Sequence, residues 1–228
     1  MKVGLIVAMD SEYEQVLRLL GGKPDGTIGS NGTQVSLRRC GIGKVNAAIG
    51  TMHLINNDKP DCIISTGLAG GIGPDVEVWD AVVAAQTAYH DVYCGMGCEQ
   101  GQVQGLPTRF DSSKPLVDLA MSIKLDSGDK TTFHKGLICT GDQFITSAEP
   151  VAAIRKAFPD ALACDMESAA IAHVCHLMKM PFLSIRIISD TPDRVKEHAL
   201  QWEQSLKVMT HRSFRIIDEL LKIVPESI

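Results

Sequence analysis

The sequence has no apolar run that approaches the roughly 18 to 20 residues of a membrane-spanning helix. Its N-terminal segment is mainly apolar only from Val3 to Met9, after which acidic residues begin. That run is too short for the apolar region of a secretory signal with its cleavage site. We therefore expect a cytoplasmic protein with no membrane partner, whose N-terminal run forms the first β-strand.

The chain also lacks an excess of positive charge. It has 22 lysine and arginine residues and 27 aspartate and glutamate residues, which gives a formal net charge of −5. This balance gives no electrostatic reason to expect nucleic acid as a partner, so a small molecule is expected instead. The seven cysteines are an odd number and are scattered from Cys40 to Cys175. We expect free thiols in a reducing compartment, most of them buried as small apolar side chains.

The glycine-rich segments lack the spacings of known nucleotide-binding loops. "GIGK" at 41–44 does not follow the Gly-x4-Gly-Lys-Ser/Thr pattern, and "GLAGGIG" at 67–73 does not follow Gly-x-Gly-x-x-Gly. Each segment fits either a tight backbone turn or a place where the backbone approaches a ligand. "HDVYCGMGC" at 90–98 has no usual zinc spacing, so we expect no metal there.

What the sequence does contain is an alternation of strand-length apolar runs and helical patterns. At 228 residues and 45% hydrophobic content, the chain can bury a full core, and we expect 1–228 to form a single domain. The predicted strands are 2–8, 61–67, 81–89, 134–141, 160–164 and 181–189. The predicted helices are about 11–20, 44–56, 113–124, 148–157, 167–179 and 198–222.

These elements predict a three-layer α/β/α fold around a mixed β-sheet. The strand runs are apolar on both faces, which is typical of a sheet covered by helices on both sides. The Asn31-Gly32 pair between two strand-like pieces predicts a β-hairpin, which makes the sheet mixed. The stretch 92–112 is too rich in glycine to be regular, and a loop of that length is usually functional or mobile.

Three acidic residues follow predicted strands. Glu12 comes after the first strand, Glu167 follows "DALACDM", and Asp190 follows "PFLSIRIIS". Taken singly, each fits an acid in the first turn or cap of a helix. In open α/β sheets, however, ligands gather outside the carboxyl ends of the strands. Three acids at one edge therefore favour a binding site.

The segment "ACDMESAAIAHVCH" at 163–176 combines acids, cysteines and histidines, which raises the question of a metal. At 100° per residue, a helix starting near Glu167 points that carboxylate along the apolar stripe. His173 and His176 point elsewhere, so they cannot share a metal with Glu167, and packing or an interface explains them. The residues of the predicted buried stripe are Ala170, Ile171, Val174, Leu177 and Met178.

A buried carboxylate needs hydrogen-bond donors, because leaving it without them costs several kcal/mol. Helix N-terminal amides supply some of these donors. Two vicinal hydroxyls of a polyol match the two oxygens of one carboxylate. Glu167 therefore predicts a sugar ligand, of which ribose is the common one.

Seven motifs occur in order along most of the chain: "GLIVAMDSE", "GIGKVNAA", "STGLAGG", "YHD", "TGDQFI", "DMESAAIAHVC" and "RIISD". Together they closely resemble the 5′-methylthioadenosine/S-adenosylhomocysteine nucleosidases, of the nucleoside phosphorylase superfamily. The resemblance implies a nucleoside phosphorylase-like fold, a homodimer and no cofactor. It also implies hydrolysis of the N-glycosidic bond of adenosine thioethers, as in methionine salvage.

The resemblance further implies residue roles. Glu12 would activate water and Asp190 would protonate adenine. Expelling adenine needs a proton on N7 while water adds to C1′ from the opposite face, so two carboxyl groups in opposite protonation states are required. The implied substrate-binding residues are Phe144 and Ile145 for adenine, Met166 and Glu167 for ribose, and Arg186, Ser189, Ala69 and Gly70. The implied 5′ pocket comprises Met9, Met96, Cys98 and Trp202.

Three positions depart from the family pattern. Leu68 stands where serine is usual, which removes a hydroxyl near the ribose and the water. The loop 92–112 offers Met96, Cys98 and Gln100 where the family has aromatic side chains that act partly across the dimer, and Asp165 replaces a glutamate. The first two departures leave the 5′ substituent open among methylthio, homocysteinyl and a bare 5′-deoxy group.

Two other functions compete with hydrolysis. A nucleoside phosphorylase needs a cationic phosphate site, but Ser65 stands where those relatives have arginine, and Glu12 repels phosphate. A nucleoside-binding protein without turnover fits the change at Leu68. The presence of Glu12, Glu167 and Asp190 together argues against it.

Overall fold

The computed structural model describes residues 1–28, 32–126, 128–194 and 215–225, with the side chains of 26–28 excepted. Its strands are β1 (Lys2–Val7), β2 (Asp25–Ile28), β3 (Thr33–Arg39), β4 (Cys62–Gly71), β5 (Ala81–Tyr89), β6 (Arg109–Asp111), β7 (Phe133–Thr140), β8 (Ala161–Asp165) and β9 (Phe182–Asp190). Its helices are α1 (Asp10–Leu19), α2 (Lys44–His53), α3 (Lys114–Met121), α4 (Ala148–Ala157) and α5 (Ser168–Met178), together with a helical stretch at 215–223.

The first strand shows why helices cover both faces of the sheet. Val3 and Leu5 are fully buried in a cluster that includes side chains of α1, α3 and the 215–223 helix. Ile6 points to the opposite face, where its cluster includes α2 and α5, because successive strand side chains alternate. Gly4 shares that face, and a Cβ there would lie 2.7 Å from Cδ1 of Ile63. The expectation of helices on both sides of the sheet is confirmed.

The sheet is mixed, as the sequence predicts. Its order is β2-β3-β1-β4-β8-β7-β5-β6, and β9 pairs in parallel with β4 and antiparallel with β5. The pairings therefore close a ring through β4, β8, β7, β5 and β9, a feature that the sequence pattern did not predict. A small apolar cluster combines side chains of these strands with Val76, which follows β4. The strand residues are Ala69, Val82, Ala84, Ile138, Ala163 and Ile188.

Several element boundaries differ from the predictions. The hairpin of β2 and β3 is antiparallel as expected, although Asn31 lies outside the described residues. The α-helix α2 ends at His53 and continues as one π-helical turn, Leu54–Asp58. The loop after β5 is irregular until β6, a short strand that pairs with β5, so 92–112 is not wholly without regular structure. Only the C-terminal part of the predicted helix 198–222 lies within the described residues.

The predicted buried stripe of α5 is wrong at its C-terminal end. Ala170 and Ile171 are buried, but Leu177 is 61% exposed and Met178 is 42% exposed. The apolar pattern identified side chains that avoid water, but it could not show that none of the described residues covers the last turn.

Candidate active site

A pocket opens at the C-terminal ends of five strands and the segments that follow them. These strands are β1, β4, β7, β8 and β9. This is the edge at which ligands gather in open α/β sheets. The predicted site residues that line it are Met9, Glu12, Ala69, Gly70, Phe144, Ile145, Met166, Glu167, Ser189 and Asp190. The structure thus brings together ten positions that lie as much as 181 residues apart in the sequence, from Met9 to Asp190.

Glu12 lies in the first turn of α1 and is only 4% exposed. Its Oε2 accepts hydrogen bonds from the backbone amides of Ala8 (3.1 Å) and Met9 (2.9 Å), and its Oε1 accepts one from Leu68 (3.1 Å). Burial raises the pKa of the Glu12 carboxyl, although these amides and the charge of Arg186 oppose the rise. The side chain is therefore fixed in one orientation, with its proton affinity raised.

Glu167 caps the N-terminus of α5 and does not lie within the helix, since its φ and ψ are −134° and −36°. The predicted burial is nevertheless present, because the residue is 7% exposed. Its Oε1 accepts a hydrogen bond of 3.0 Å from the amide of Gly43. Burial and then the negative charge of Asp165 raise the pKa of Glu167 to about 7.

Asp190 is the last residue of β9 and is 2% exposed. The hydroxyl of Ser189 donates a hydrogen bond of 2.5 Å to its Oδ1 and lies 3.2 Å from the carbonyl oxygen of Ala69. In the sheet register, Asp190 is the partner of Gly70. The Asp190 carboxyl is thus held against the wall that β4 forms.

Arg186 lies beneath the pocket and does not line it. Its Nε donates a hydrogen bond of 2.9 Å to Oδ2 of Asp165, and both side chains are buried. Asp165 also accepts hydrogen bonds from the hydroxyls of Thr140 and Ser168. Among the residues that the structure describes, Arg186 is the only buried cation, and its charge opposes the rise in the pKa of both Glu12 and Glu167.

Some lining residues were missed by the sequence analysis. Ile42 and Gln143 belong to the "GIGK" and "TGDQFI" motifs, so their position in those motifs was a usable signal. Cys164 also lines the pocket, and burial raises its pKa well above the ordinary value for a thiol. Nothing in the sequence distinguished it from the other buried cysteines.

Two of the predicted 5′ residues, Met96 and Cys98, do not line this pocket. Met96 is fully exposed, and neither it nor Cys98 lines the pocket of its own chain. Trp202 lies outside the described residues. A role for Met96 and Cys98 therefore requires the pocket of a second subunit.

The two histidines of α5 take part in aromatic packing. Nδ1 of His173 lies 3.1 Å from the hydroxyl of Tyr89, and its ring stacks on Phe110 at 5.0 Å between centroids. The ring of His176 packs edge-on against Phe110. Within 1–28, 32–126, 128–194 and 215–225, no three His, Cys, Asp or Glu side chains are grouped as metal ligands. The same residues contain no helix long and apolar enough to cross a bilayer.

Comparison with known proteins agrees with this geometry. A family model described as the phosphorylase superfamily matches residues 2–222. The 5′-methylthioadenosine/S-adenosylhomocysteine nucleosidase of Actinobacillus succinogenes is 40% identical over 226 residues, covering 95% of this chain and 96% of that protein.

Two solved structures share the fold closely. The nucleosidase of the same name from Neisseria meningitidis, in complex with methylthio-immucillin-A, has a TM-score of 0.89 and 36% identity, covering 98% of this chain and 99% of that one. The nucleosidase from Colwellia psychrerythraea, in complex with adenine, has a TM-score of 0.90 and 33% identity, covering 100% and 97%. The chain therefore belongs to the 5′-methylthioadenosine/S-adenosylhomocysteine nucleosidase family of the phosphorylase superfamily.

Proposed function

We propose that this protein is a nucleosidase that hydrolyses the N-glycosidic bond of 5′-methylthioadenosine and S-adenosylhomocysteine and releases adenine. One observation carries the proposal: Glu12 and Asp190 are anchored two residues apart on β4. Glu12 bonds to the amide of Leu68, and Asp190 is the register partner of Gly70. At about 3.3 Å per residue, the anchor points lie about 7 Å apart. Both acids therefore line the same pocket from neighbouring points of β4, as an acid and a base that act on one sugar must.

The proposed chemistry assigns opposite proton roles to the two acids. Asp190 protonates N7 of adenine as the C1′–N9 bond breaks, and the Ser189 hydroxyl then stabilises its carboxylate through their hydrogen bond. Glu12 accepts a proton from the water that adds to C1′. Its raised pKa makes it a stronger base than an exposed glutamate.

The remaining residues of the pocket fit the two halves of a nucleoside. Phe144 is 48% exposed beside the buried Ile145, so an adenine ring can stack on it while Ile145 offers backbone groups to the purine edge. Met166 and Glu167 lie at the N-terminus of α5, where Glu167 accepts the ribose hydroxyls. Ala69 and Gly70 form the β4 wall, and Arg186 supports Glu12 and Glu167 from below.

We further propose that the protein is a homodimer. α2 and α5 pack against each other, and each exposes apolar side chains to solvent. The loop that carries Met96 also exposes apolar side chains. Exposed apolar side chains on neighbouring elements are typical of a protein interface. The exposed apolar residues of this face are Ile42, Val45, Ile49, Leu177 and Met178.

A reducing compartment such as the cytoplasm is proposed because all seven cysteines are free. That 1–228 forms one domain also remains a prediction, supported by a single sheet that runs from Lys2 to Asp190. Two further points also remain predictions. One is the preferred 5′ substituent, which is methylthio, homocysteinyl or 5′-deoxy, and the other is a place in methionine salvage.

A phosphorylase is the competing enzyme within the same superfamily. Phosphate binding requires an available cation, but the only buried cation of the described chain, Arg186, is paired with Asp165. Ser65 is buried and contributes no charge. Hydrolysis is therefore the reaction that the site supports best.

The test is release of adenine from 5′-methylthioadenosine in buffers with and without phosphate. Equal rates and a free thioribose product are expected, whereas strict dependence on phosphate identifies a phosphorylase. Glu12→Gln is the matched control, because its amide cannot accept a proton from water. It is expected to bind adenine and to release none from substrate. Binding without turnover in the parent chain contradicts the nucleosidase proposal.

A further inference from the structure

Three short motifs, "GIGK", "YHD" and "TGDQFI", meet in a closed ring of hydrogen bonds beside the pocket. Nζ of Lys44 lies 2.8 and 2.7 Å from the two carboxylate oxygens of Asp91. Asp91 accepts a hydrogen bond of 2.9 Å from the amide of Asp142. Asp142 in turn accepts one of 2.7 Å from the amide of Lys44. The ring joins the start of α2, the end of β5 and the segment after β7.

This ring is continuous with two walls of the pocket. Gly43, the residue before Lys44, donates its amide hydrogen to Glu167 at 3.0 Å. On the other side, Asp142 directly precedes Gln143, Phe144 and Ile145, which line the purine end. A shift of Lys44 therefore changes the distance between the Glu167 carboxylate and the 143–145 segment.

The charges of the ring are sheltered enough to hold it closed. The side chains of Lys44 and Asp91 are 23% and 27% exposed, and Nζ also lies 5.4 Å from the centre of the Tyr89 ring. Burial by itself would raise the pKa of Asp91, yet the Lys44 and Asp142 hydrogen bonds outweigh it and lower that pKa. Charge-assisted bonds of this kind are stronger than those of an exposed surface pair.

We propose that Lys44 is a positioning residue that fixes the purine-binding segment 143–145 relative to Glu167, acting through Asp91 and Asp142. Lys44 itself does not line the pocket and contacts no reacting atom. The inference rests on the proposed function, because it takes adenine to bind against Phe144 and Ile145. It goes beyond that function by assigning a task to Lys44, Asp91 and Asp142, which the reaction itself leaves without one.

The test compares Lys44→Met with the parent by calorimetric binding of adenine and by steady-state kinetics. Methionine keeps the apolar stem and the backbone amide and removes only the ammonium group. We expect the Kd for adenine and the KM to rise about tenfold, while kcat stays within threefold because Asp190 is held by β9. Lys44→Arg restores a cation and is expected to recover at least half of the lost affinity on a logarithmic scale.

The matched control is Arg38→Met, which removes an ion pair of 2.6 Å with Asp58 that lies away from the pocket. This control is expected to lower the Tm but to leave adenine binding unchanged. Adenine affinity of Lys44→Met within twofold of an active parent overturns the inference and leaves the nucleosidase proposal intact. An equal loss in Arg38→Met also overturns it, because the effect is then general destabilisation. If Lys44→Met does not fold, Asp91→Asn breaks the same ion pair with an isosteric side chain and is measured in its place.

Discussion

Gly67 lies so close to Glu12 that a Cβ on this glycine would stand 2.5 Å from Oε1 of the glutamate. Its φ of +153° is also one that residues with a side chain rarely adopt. The carboxylate and the β4 backbone therefore fit together only with glycine at this position. The fit explains how the Leu68 amide reaches the same oxygen, at 3.1 Å.

The first prediction concerns Gly67→Ala. The new methyl group must displace the Glu12 carboxylate, and misplacing a catalytic group by about 1 Å can cost about 10²-fold in rate. We expect kcat/KM to fall by about that factor, measured by adenine release. Gly22→Ala is the control, because Gly22 has a φ of +80° but a Cβ on it would meet no atom within 4 Å. It shares the backbone strain without the contact and should keep parental activity; equal losses in both variants contradict the argument.

The second prediction is that Asp190→Asn keeps the fold and adenine binding but loses at least about 10²-fold in kcat. Asparagine retains the shape of the side chain that Ser189 contacts. It cannot, however, donate a proton to N7 and remain in place as a carboxylate. Circular dichroism and adenine calorimetry check the fold and the binding, and single-turnover kinetics check the chemistry. Turnover within threefold of the parent shows that Asp190 is only structural.

The third prediction is a pH dependence of stability that comes from Glu167. Burial and the charge of Asp165 raise its pKa from an ordinary 4.5 to about 7. The folded chain then holds this proton more tightly than the unfolded chain, so the Glu167 contribution to the free energy of unfolding falls as pH rises from about 4.5 to about 7.

Glu167→Gln removes that contribution. The Tm of the variant relative to the parent is therefore expected to rise between pH 5 and pH 7.5. Differential scanning calorimetry at several pH values measures the difference. Glu14→Gln, at an exposed glutamate of α1, is the control and should follow the parent. Parallel curves of Tm against pH for Glu167→Gln and the parent would show that the Glu167 carboxyl has the same pKa in the folded and the unfolded chain.

The location of the site at one edge of the sheet could be predicted from the sequence. Apolar runs indicate where strands lie, although they do not indicate which strands pair. Glu12, Glu167 and Asp190 each follow such a run, so their meeting at one edge came from local pattern and sheet geometry. The contact of Gly43 with Glu167 spans 124 positions and depends on how α2 packs beside α5, which no local pattern encodes. The exposure of Leu177 was missed for a related reason, since apolar periodicity shows that a face avoids water but not what covers it.

The last prediction concerns the 5′ substituent, where the chain departs most from its family. Met96 is fully exposed in its own chain, so in the proposed homodimer it can contact a substrate only in the pocket of the partner. Methionine is smaller in apolar area and more flexible than an aromatic ring, and a methyl-sized difference in a pocket is worth about 1 to 3 kcal/mol. We therefore expect kcat/KM values for methylthioadenosine, S-adenosylhomocysteine and 5′-deoxyadenosine to lie within about 10²-fold of one another.

Met96→Phe tests this directly, because a rigid ring should raise the preference for the thiomethyl substrate by about tenfold. Met121→Phe, at a partly exposed methionine of α3, is the control for adding a ring to the surface and should leave the three-substrate ratios unchanged. A parent that already prefers methylthioadenosine by more than about a thousandfold, well beyond the 1 to 3 kcal/mol of such a contact, shows that this loop does not shape the 5′ end. Residues outside 92–112 must then close that end, and Trp202 is the first to substitute, because a large aromatic side chain can bury a thiomethyl group against a rigid face.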